Sequence, residues 1–198
     1  MVKIKMCGLK RECDIDYANE IMPDYIGFVF WRKSSRYVSS ETAAELKKHL
    51  NPAITAVGVF VDEEPEYIAG LVNDGIIDMI QLHGCEDEDY INVLRGLTDA
   101  PIIKAFRVIN DEDIAASKSC SADYIMFDSG CGSGKTFDHS LIESIERPYF
   151  LAGGLTPDNV RSVAQKFHPY AVDASSSLET DGLKDINKMR EFSKALGR

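Results

Sequence analysis

A cysteine and an aspartate each close a short apolar run: Val2-Lys3-Ile4-Lys5-Met6-Cys7 and Tyr124-Ile125-Met126-Phe127-Asp128. A thiol and a carboxyl brought to one face supply a base and an acid for moving protons. The thiol serves as a base only where its surroundings favour the thiolate. Lys3, Lys5 or a ligand-binding arginine are the cations that would do so. The plain alternatives are a small buried thiol and a solvated strand end or helix cap. Ser129-Gly130-Cys131-Gly132-Ser133-Gly134-Lys135-Thr136 follows Asp128 and reads as a loop that folds over a ligand. A carboxyl sheltered there would be pushed up by desolvation and stay protonated long enough to donate.

The same loop imitates a nucleotide site. Gly134-Lys135-Thr136 matches the end of the phosphate-binding pattern GxxxxGK[ST], but Ser129 stands where the first glycine belongs, and Phe137-Asp138 intervene before any helix. Lys135 is therefore read as solvated or as touching a ligand. Gly153-Gly154 and Ser175-Ser176-Ser177 end two further apolar runs. Glycine lets backbone N–H groups approach phosphate oxygens, and serine hydroxyls add donors. Arg36, in Trp31-Arg32-Lys33-Ser34-Ser35-Arg36-Tyr37, is suited to gripping a carboxylate through two parallel hydrogen bonds. His83, in Gln81-Leu82-His83-Gly84, is either a ligand contact or a hydrogen-bonded structural histidine. The other histidines are dispersed, so no metal site is expected.

Eight strands are expected to position these residues: Val2–Cys7, Tyr25–Phe30, Ala56–Val61, Met79–His83, Ile102–Arg107, Tyr124–Asp128, Tyr149–Gly153 and Ala171–Ser175. Between them, helices are expected at Asp14–Ile21, Ala43–Leu50, Glu66–Val72, Asp87–Leu97, Asp111–Cys120, His139–Ile145, Thr156–Phe167 and Asp185–Leu196. Strict alternation implies a parallel α/β sheet. Eight units point to a closed (βα)8 TIM barrel, with residues 1–198 as a single domain. Such barrels keep active sites at the C-terminal ends of their strands and often bind phosphate after strands seven and eight. Glycines 153 and 154 and serines 175 and 176 fall there.

The net charge of -10 argues against nucleic acid or an anionic membrane as partner. No apolar stretch is long enough to span a bilayer, and the N-terminus lacks a signal peptide's apolar region, so the cytoplasm is expected. Five cysteines without CxxC spacing fit neither a disulfide scaffold nor a zinc site.

Short segments along nearly the whole chain also match a known family. They are Lys5-Met6-Cys7-Gly8-Leu9, Tyr25-Ile26-Gly27-Phe28-Val29-Phe30, Ser35-Arg36-Tyr37-Val38-Ser39, Val57-Gly58-Val59-Phe60-Val61 and Gln81-Leu82-His83-Gly84. Further along come Ile103-Lys104-Ala105-Phe106, Gly134-Lys135-Thr136-Phe137-Asp138, Leu151-Ala152-Gly153-Gly154-Leu155 and Val172-Asp173-Ala174-Ser175-Ser176. The chain resembles the phosphoribosylanthranilate isomerases of tryptophan biosynthesis. The resemblance implies a cofactor-free Amadori rearrangement of N-(5-phosphoribosyl)anthranilate, a small phosphorylated substrate; the chain is expected to be a monomer or homodimer. It implies Asp128 as the acid at the ribose ring oxygen and Cys7 as the base at C2′. Arg36 would hold the anthranilate carboxylate, and Gly154, Ser175 and Ser176 fall in the phosphate segments. The chain departs from the family pattern at Ser35, where proline is usual, and at Ser177, where glycine is usual; Ser177 would add a donor or strain the loop. Rival readings are another phosphosugar isomerase on the same barrel, a nucleotide-binding regulator and a phosphosugar-binding barrel without catalysis.

Overall fold

A computed structural model describes residues 1–107, 111–128 and 145–198. Eight parallel strands close into a barrel in sequence order: β1 Lys3–Cys7, β2 Tyr25–Val29, β3 Thr55–Phe60, β4 Met79–Leu82, β5 Ile102–Arg107, β6 Tyr124–Asp128, β7 Tyr149–Ala152 and β8 Ala171–Ala174. β8 returns to β1 with Lys5 beside Asp173. Helices α1 Glu12–Ile21, α2 Ser40–His49, α3 Pro65–Asn73, α4 Glu88–Arg95, α5 Asp111–Ser119, α6 Val160–Phe167 and α7 Ile186–Ala195 surround the sheet. The architecture is the expected (βα)8 barrel. Most of the expected helix between β6 and β7, and the loop carrying Lys135, lie outside the described residues.

Side chains alternate between the two faces of a strand, which divides the apolar residues into two layers. One layer, with Ile4, Met6, Ile26, Phe28, Ile80 and Leu82, packs under the helices. The other, with Tyr25, Val57, Met79, Ile103, Met126 and Phe150, fills the interior as a packed core rather than a pore. At the N-terminal end Lys3 Nζ donates to Tyr170 Oη at 2.7 Å and to Tyr25 Oη at 3.2 Å, and the Tyr124 ring lies against that of Tyr170. These side chains plug the bottom of the barrel. Lys3, expected to assist Cys7, belongs to this plug.

Helix starts follow their caps. Ser39 accepts from the Thr42 amide, Asp87 from that of Tyr90, and Asp185 from those of Asn187 and Lys188. The expected Thr156–Phe167 helix begins only at Val160. Asn159 Oδ1 accepts from the Thr156 amide and Nδ2 donates to the Gly154 carbonyl, so this side chain folds residues 156–159 into a turn in place of the first helical turn. Beyond β8 the chain forms a single 3-10 turn, Ser176–Leu178, and an unexpected hairpin of β9 Glu179–Thr180 and β10 Leu183–Lys184. Both residues at its tip, Asp181 and Gly182, have positive φ, as a tight two-residue hairpin turn requires.

Candidate active site

Strand parity delivers the reactive groups to one cavity. Lys3, Lys5 and Cys7 share the inward face of β1. Met79 and Gln81, with His83 just beyond, share that of β4. Tyr124, Met126 and Asp128 share that of β6, and Ala171 and Asp173, followed by Ser175, share that of β8. At the C-terminal rim a cavity of about 430 Å³ is lined by Cys7, Arg36, His83, Asp128, Gly153, Gly154, Ser175 and Ser176, together with Asp173 and Ser177. Every expected site residue within the described range thus opens on one space; Lys135 is the exception that falls outside that range. Val29, Trp31, Val59, Val61 and Leu155 give the cavity apolar wall area on which an aromatic ring can lie.

Cys7 is buried, and so are the groups that govern its charge. Lys5 Nζ donates to both Asp173 carboxylate oxygens at 3.1 Å. Burial alone would lower the Lys5 ammonium; Asp173 and Cys7 reverse this and hold it above its usual range. For the thiol the balance falls the other way. Burial pushes the Cys7 thiol up and Asp173 adds to this, while Lys5 and Lys184 pull it down without cancelling the rise. The balance therefore disfavours the thiolate relative to a free cysteine.

Gly27 of β2 lies against the sulfur. A Cβ built there would sit 2.6 Å from Cys7 Sγ and 3.1 Å from its Cα. Gly27→Ala must therefore displace the thiol, and since a shift of about 1 Å in a reacting group costs up to ~10²-fold, we expect kcat to fall by roughly 10- to 100-fold. Steady-state kinetics on the folded variant check this; an unchanged kcat would remove the sulfur from the reaction.

Asp128 is oriented by its neighbours. Gln81 Nε2 donates to His83 Nδ1 at 2.8 Å, which leaves the ring proton on Nε2, 3.3 Å from Asp128 Oδ2. His83 thus joins the site through the carboxyl. Gln81 Nε2 also reaches Met126 Sδ, whereas Gln81 Oε1 is buried without a partner among the described residues.

Arg36 is held by the protein's own carboxylate. Its Nε and Nη2 donate to Glu179 Oε1 and Oε2, each at 2.6 Å. The paired grip expected for a ligand is made on this edge by Glu179. Of the other loop cations, Arg32 lies over the Tyr37 ring. Ser175 Oγ donates to the Cys7 carbonyl at 2.9 Å, which ties the rim of β8 to the strand that carries the thiol. Ser177 lies in the 3-10 turn without a positive φ, so the strain considered for it is absent.

Sequence reasoning missed Asp173, Glu179 and Lys184 and named Lys5 only in passing. Two of these carried a signal. Asp173 lies two residues before Ser175 and Lys5 two before Cys7, so the parity that turns those expected residues inward marks them as well. Among the described residues no group of three His, Cys, Asp or Glu side chains is placed to hold a metal ion.

Comparison with known proteins converges on one group. A family model described as "N-(5'phosphoribosyl)anthranilate (PRA) isomerase" matches residues 4–195. An N-(5'-phosphoribosyl)anthranilate isomerase of Endomicrobium trichonymphae is 44% identical, over 99% of this chain and 98% of its own length. A solved phosphoribosyl anthranilate isomerase, in complex with reduced 1-(o-carboxyphenylamino)-1-deoxyribulose 5-phosphate, superposes with a TM-score of 0.87 at 35% identity and covers 100% of this chain and 99% of its own. Monomers of the dimeric phosphoribosylanthranilate isomerase of Thermotoga maritima superpose with a TM-score of 0.87 at 36% identity, again covering 100% and 99%.

Proposed function

The chain belongs to the N-(5'-phosphoribosyl)anthranilate isomerase family, whose reaction is the Amadori rearrangement of tryptophan biosynthesis, and we propose that Asp128 and Cys7 are its acid and base. One observation carries the assignment: thiol, carboxyl, Arg36 and the turns after β7 and β8 line the same cavity. Asp128 protonates the ribose ring oxygen of N-(5-phosphoribosyl)anthranilate, and the C1′–O bond breaks to leave an iminium. Cys7, as thiolate, removes the C2′ proton, and the resulting enolamine tautomerises to 1-(2-carboxyphenylamino)-1-deoxyribulose 5-phosphate. C1′ is reduced as C2′ is oxidised, so the electrons balance within the substrate and the reaction calls for no cofactor.

Gly153, Gly154, Ser175 and Ser176 hold the phosphate through backbone N–H groups and hydroxyls, the arrangement barrels of this kind use after strands seven and eight. Arg36 meets the anthranilate carboxylate at one end, and the apolar wall receives the ring. Residues 1–198 act as one domain, as a monomer or homodimer, in the cytoplasm and without nucleic-acid or membrane partners. No helix among the described residues is long and apolar enough to cross a membrane, and a solved relative is described as dimeric.

The test is turnover of phosphoribosylanthranilate generated in situ, followed by loss of its fluorescence, beside a phosphosugar lacking the anthranilate. Turnover of the first alone is expected. Arg36→Met should raise KM most, with about 2–5 kcal/mol lost from kcat/KM, as for truncating one partner of a desolvated charge pair. Equal turnover of both substrates, with no effect of Arg36→Met, would favour a general phosphosugar isomerase.

A further inference from the structure

We infer that Glu179 is a positioning residue for substrate recognition: from the hairpin after β8 it fixes the guanidinium of Arg36 for the anthranilate carboxylate and, through Lys184, ties that grip to the turn at Ser175. The inference rests on the reading of Arg36 given above and deepens it.

An arginine on a flexible stem recognises a carboxylate well only when its plane is already set. Here the stem and the head are fixed separately. A Cβ on Gly8, which has a φ of +84°, would lie 2.4 Å from Arg36 Cδ and 3.2 Å from Cγ, so the aliphatic stem rests directly on the Gly8 backbone. The head is held in the two-bond grip of Glu179, a geometry that sets orientation as well as distance.

Glu179 is itself fixed. It lies directly across the hairpin from Lys184, whose Nζ donates to Glu179 Oε1 at 2.5 Å and to the Ser175 carbonyl at 3.0 Å. Both side chains are almost fully buried. Burial alone would push the Glu179 carboxyl up; Arg36 and Lys184 reverse this and hold it below its usual range, so it remains a carboxylate. The hairpin is anchored to the barrel wall by Arg11 Nη2 on the Lys184 carbonyl at 2.8 Å and by Lys188 Nζ on the Glu179 carbonyl at 2.5 Å. Since Ser175 Oγ donates to the Cys7 carbonyl, an unbroken set of contacts runs from Arg36 through Glu179, Lys184 and Ser175 to the strand bearing the thiol. A neutral amide at 179 cannot replace this carboxylate, because its nitrogen would face cations with donors of its own.

Two competitive inhibitors read the effect: the reduced product analogue bearing the 2-carboxyphenyl group, and the same compound with an unsubstituted phenyl ring. Wild type should prefer the carboxylated compound. Glu179→Gln should weaken it by about tenfold or more, in keeping with the loss of a charge-assisted pair, while phenyl-analogue binding changes by less than about threefold. Arg36→Met should abolish the preference, and adding Glu179→Gln to it should change nothing further. Glu179→Asp keeps a charge opposite Lys184 but is too short to make both bonds to Arg36, and it should lose part of the preference even if the Gln variant does not fold. Equal weakening of both inhibitors would make Glu179 a general scaffold and overturn the inference, as would an undiminished preference in both Glu179 variants. A wild type that turns over substrate but shows no carboxylate preference would instead overturn the role of Arg36, and the inference with it.

Discussion

Asp128→Asn and Cys7→Ser should each lower kcat by at least about 10²-fold, the low end of general acid–base effects. The amide keeps the size of the carboxyl but has no acidic proton to donate. The serine hydroxyl keeps a donor and an acceptor but ionises far less readily than a thiol. Affinity for the product analogue should change much less, because the groups proposed to hold phosphate and carboxylate remain. For wild type, kcat/KM should be bell-shaped in pH, with macroscopic values that belong to the pair. Burial raises the Cys7 thiol, so its titration is expected on the alkaline limb, although the thiolate is the reacting form. Exchange of solvent deuterium into C2′ tests the base directly. A Cys7→Ser variant with near-wild-type kcat, or with undiminished exchange, would assign proton removal to another group.

Lys5→Met should produce the largest loss of stability. Removing one partner of a buried ion pair leaves the other unmatched, at a cost of about 3–5 kcal/mol, and here the survivor is Asp173. For a chain of this size that corresponds to a fall in Tm of roughly 6–20 °C. The double variant Lys5→Met/Asp173→Asn should recover much of it, since no charge is left alone. A second readout separates electrostatics from packing. Lys5 lowers the Cys7 thiol and Asp173 raises it, so alkylation of Cys7 by iodoacetamide near neutral pH should slow in Lys5→Met and quicken in Asp173→Asn. Mass spectrometry of the Cys7 peptide distinguishes it from the other thiols. Equal rates in all three proteins would show that the pair is a structural cross-link without influence on the base.

Strand positions were legible because burial on both faces writes β1 to β8 as short apolar runs, and their ends followed within a residue. The rim positions of Cys7 and Asp128 were legible because a polar residue terminating such a run has few places to go but the rim. Lys5 and Asp173 obey the same parity but lie within the runs, where a charge looks like an interruption until its partner on the neighbouring strand is known. That partnership is a matter of barrel closure, Lys5 beside Asp173 across the β1–β8 seam, which no local pattern encodes. Glu179 was hidden for a different reason: its partner Arg36 is 143 residues away. The hairpin that presents it was not expected, although Asp181-Gly182 is a dipeptide suited to a turn with two positive φ values. Nor was the late start of α6, because the Asn159 side chain decides it by bonding to Thr156 and Gly154.

The plug of Lys3, Tyr25, Tyr124 and Tyr170 bears on traffic as well as on stability. With that end plugged and the interior packed, the cavity at the C-terminal rim is where, among the described residues, the barrel opens to a ligand. If the reaction runs in that cavity, substrate and product cross the same rim, and one molecule has to leave before the next can arrive. Departure is therefore expected to compete with arrival, and added ketose product should inhibit competitively with substrate in steady-state kinetics.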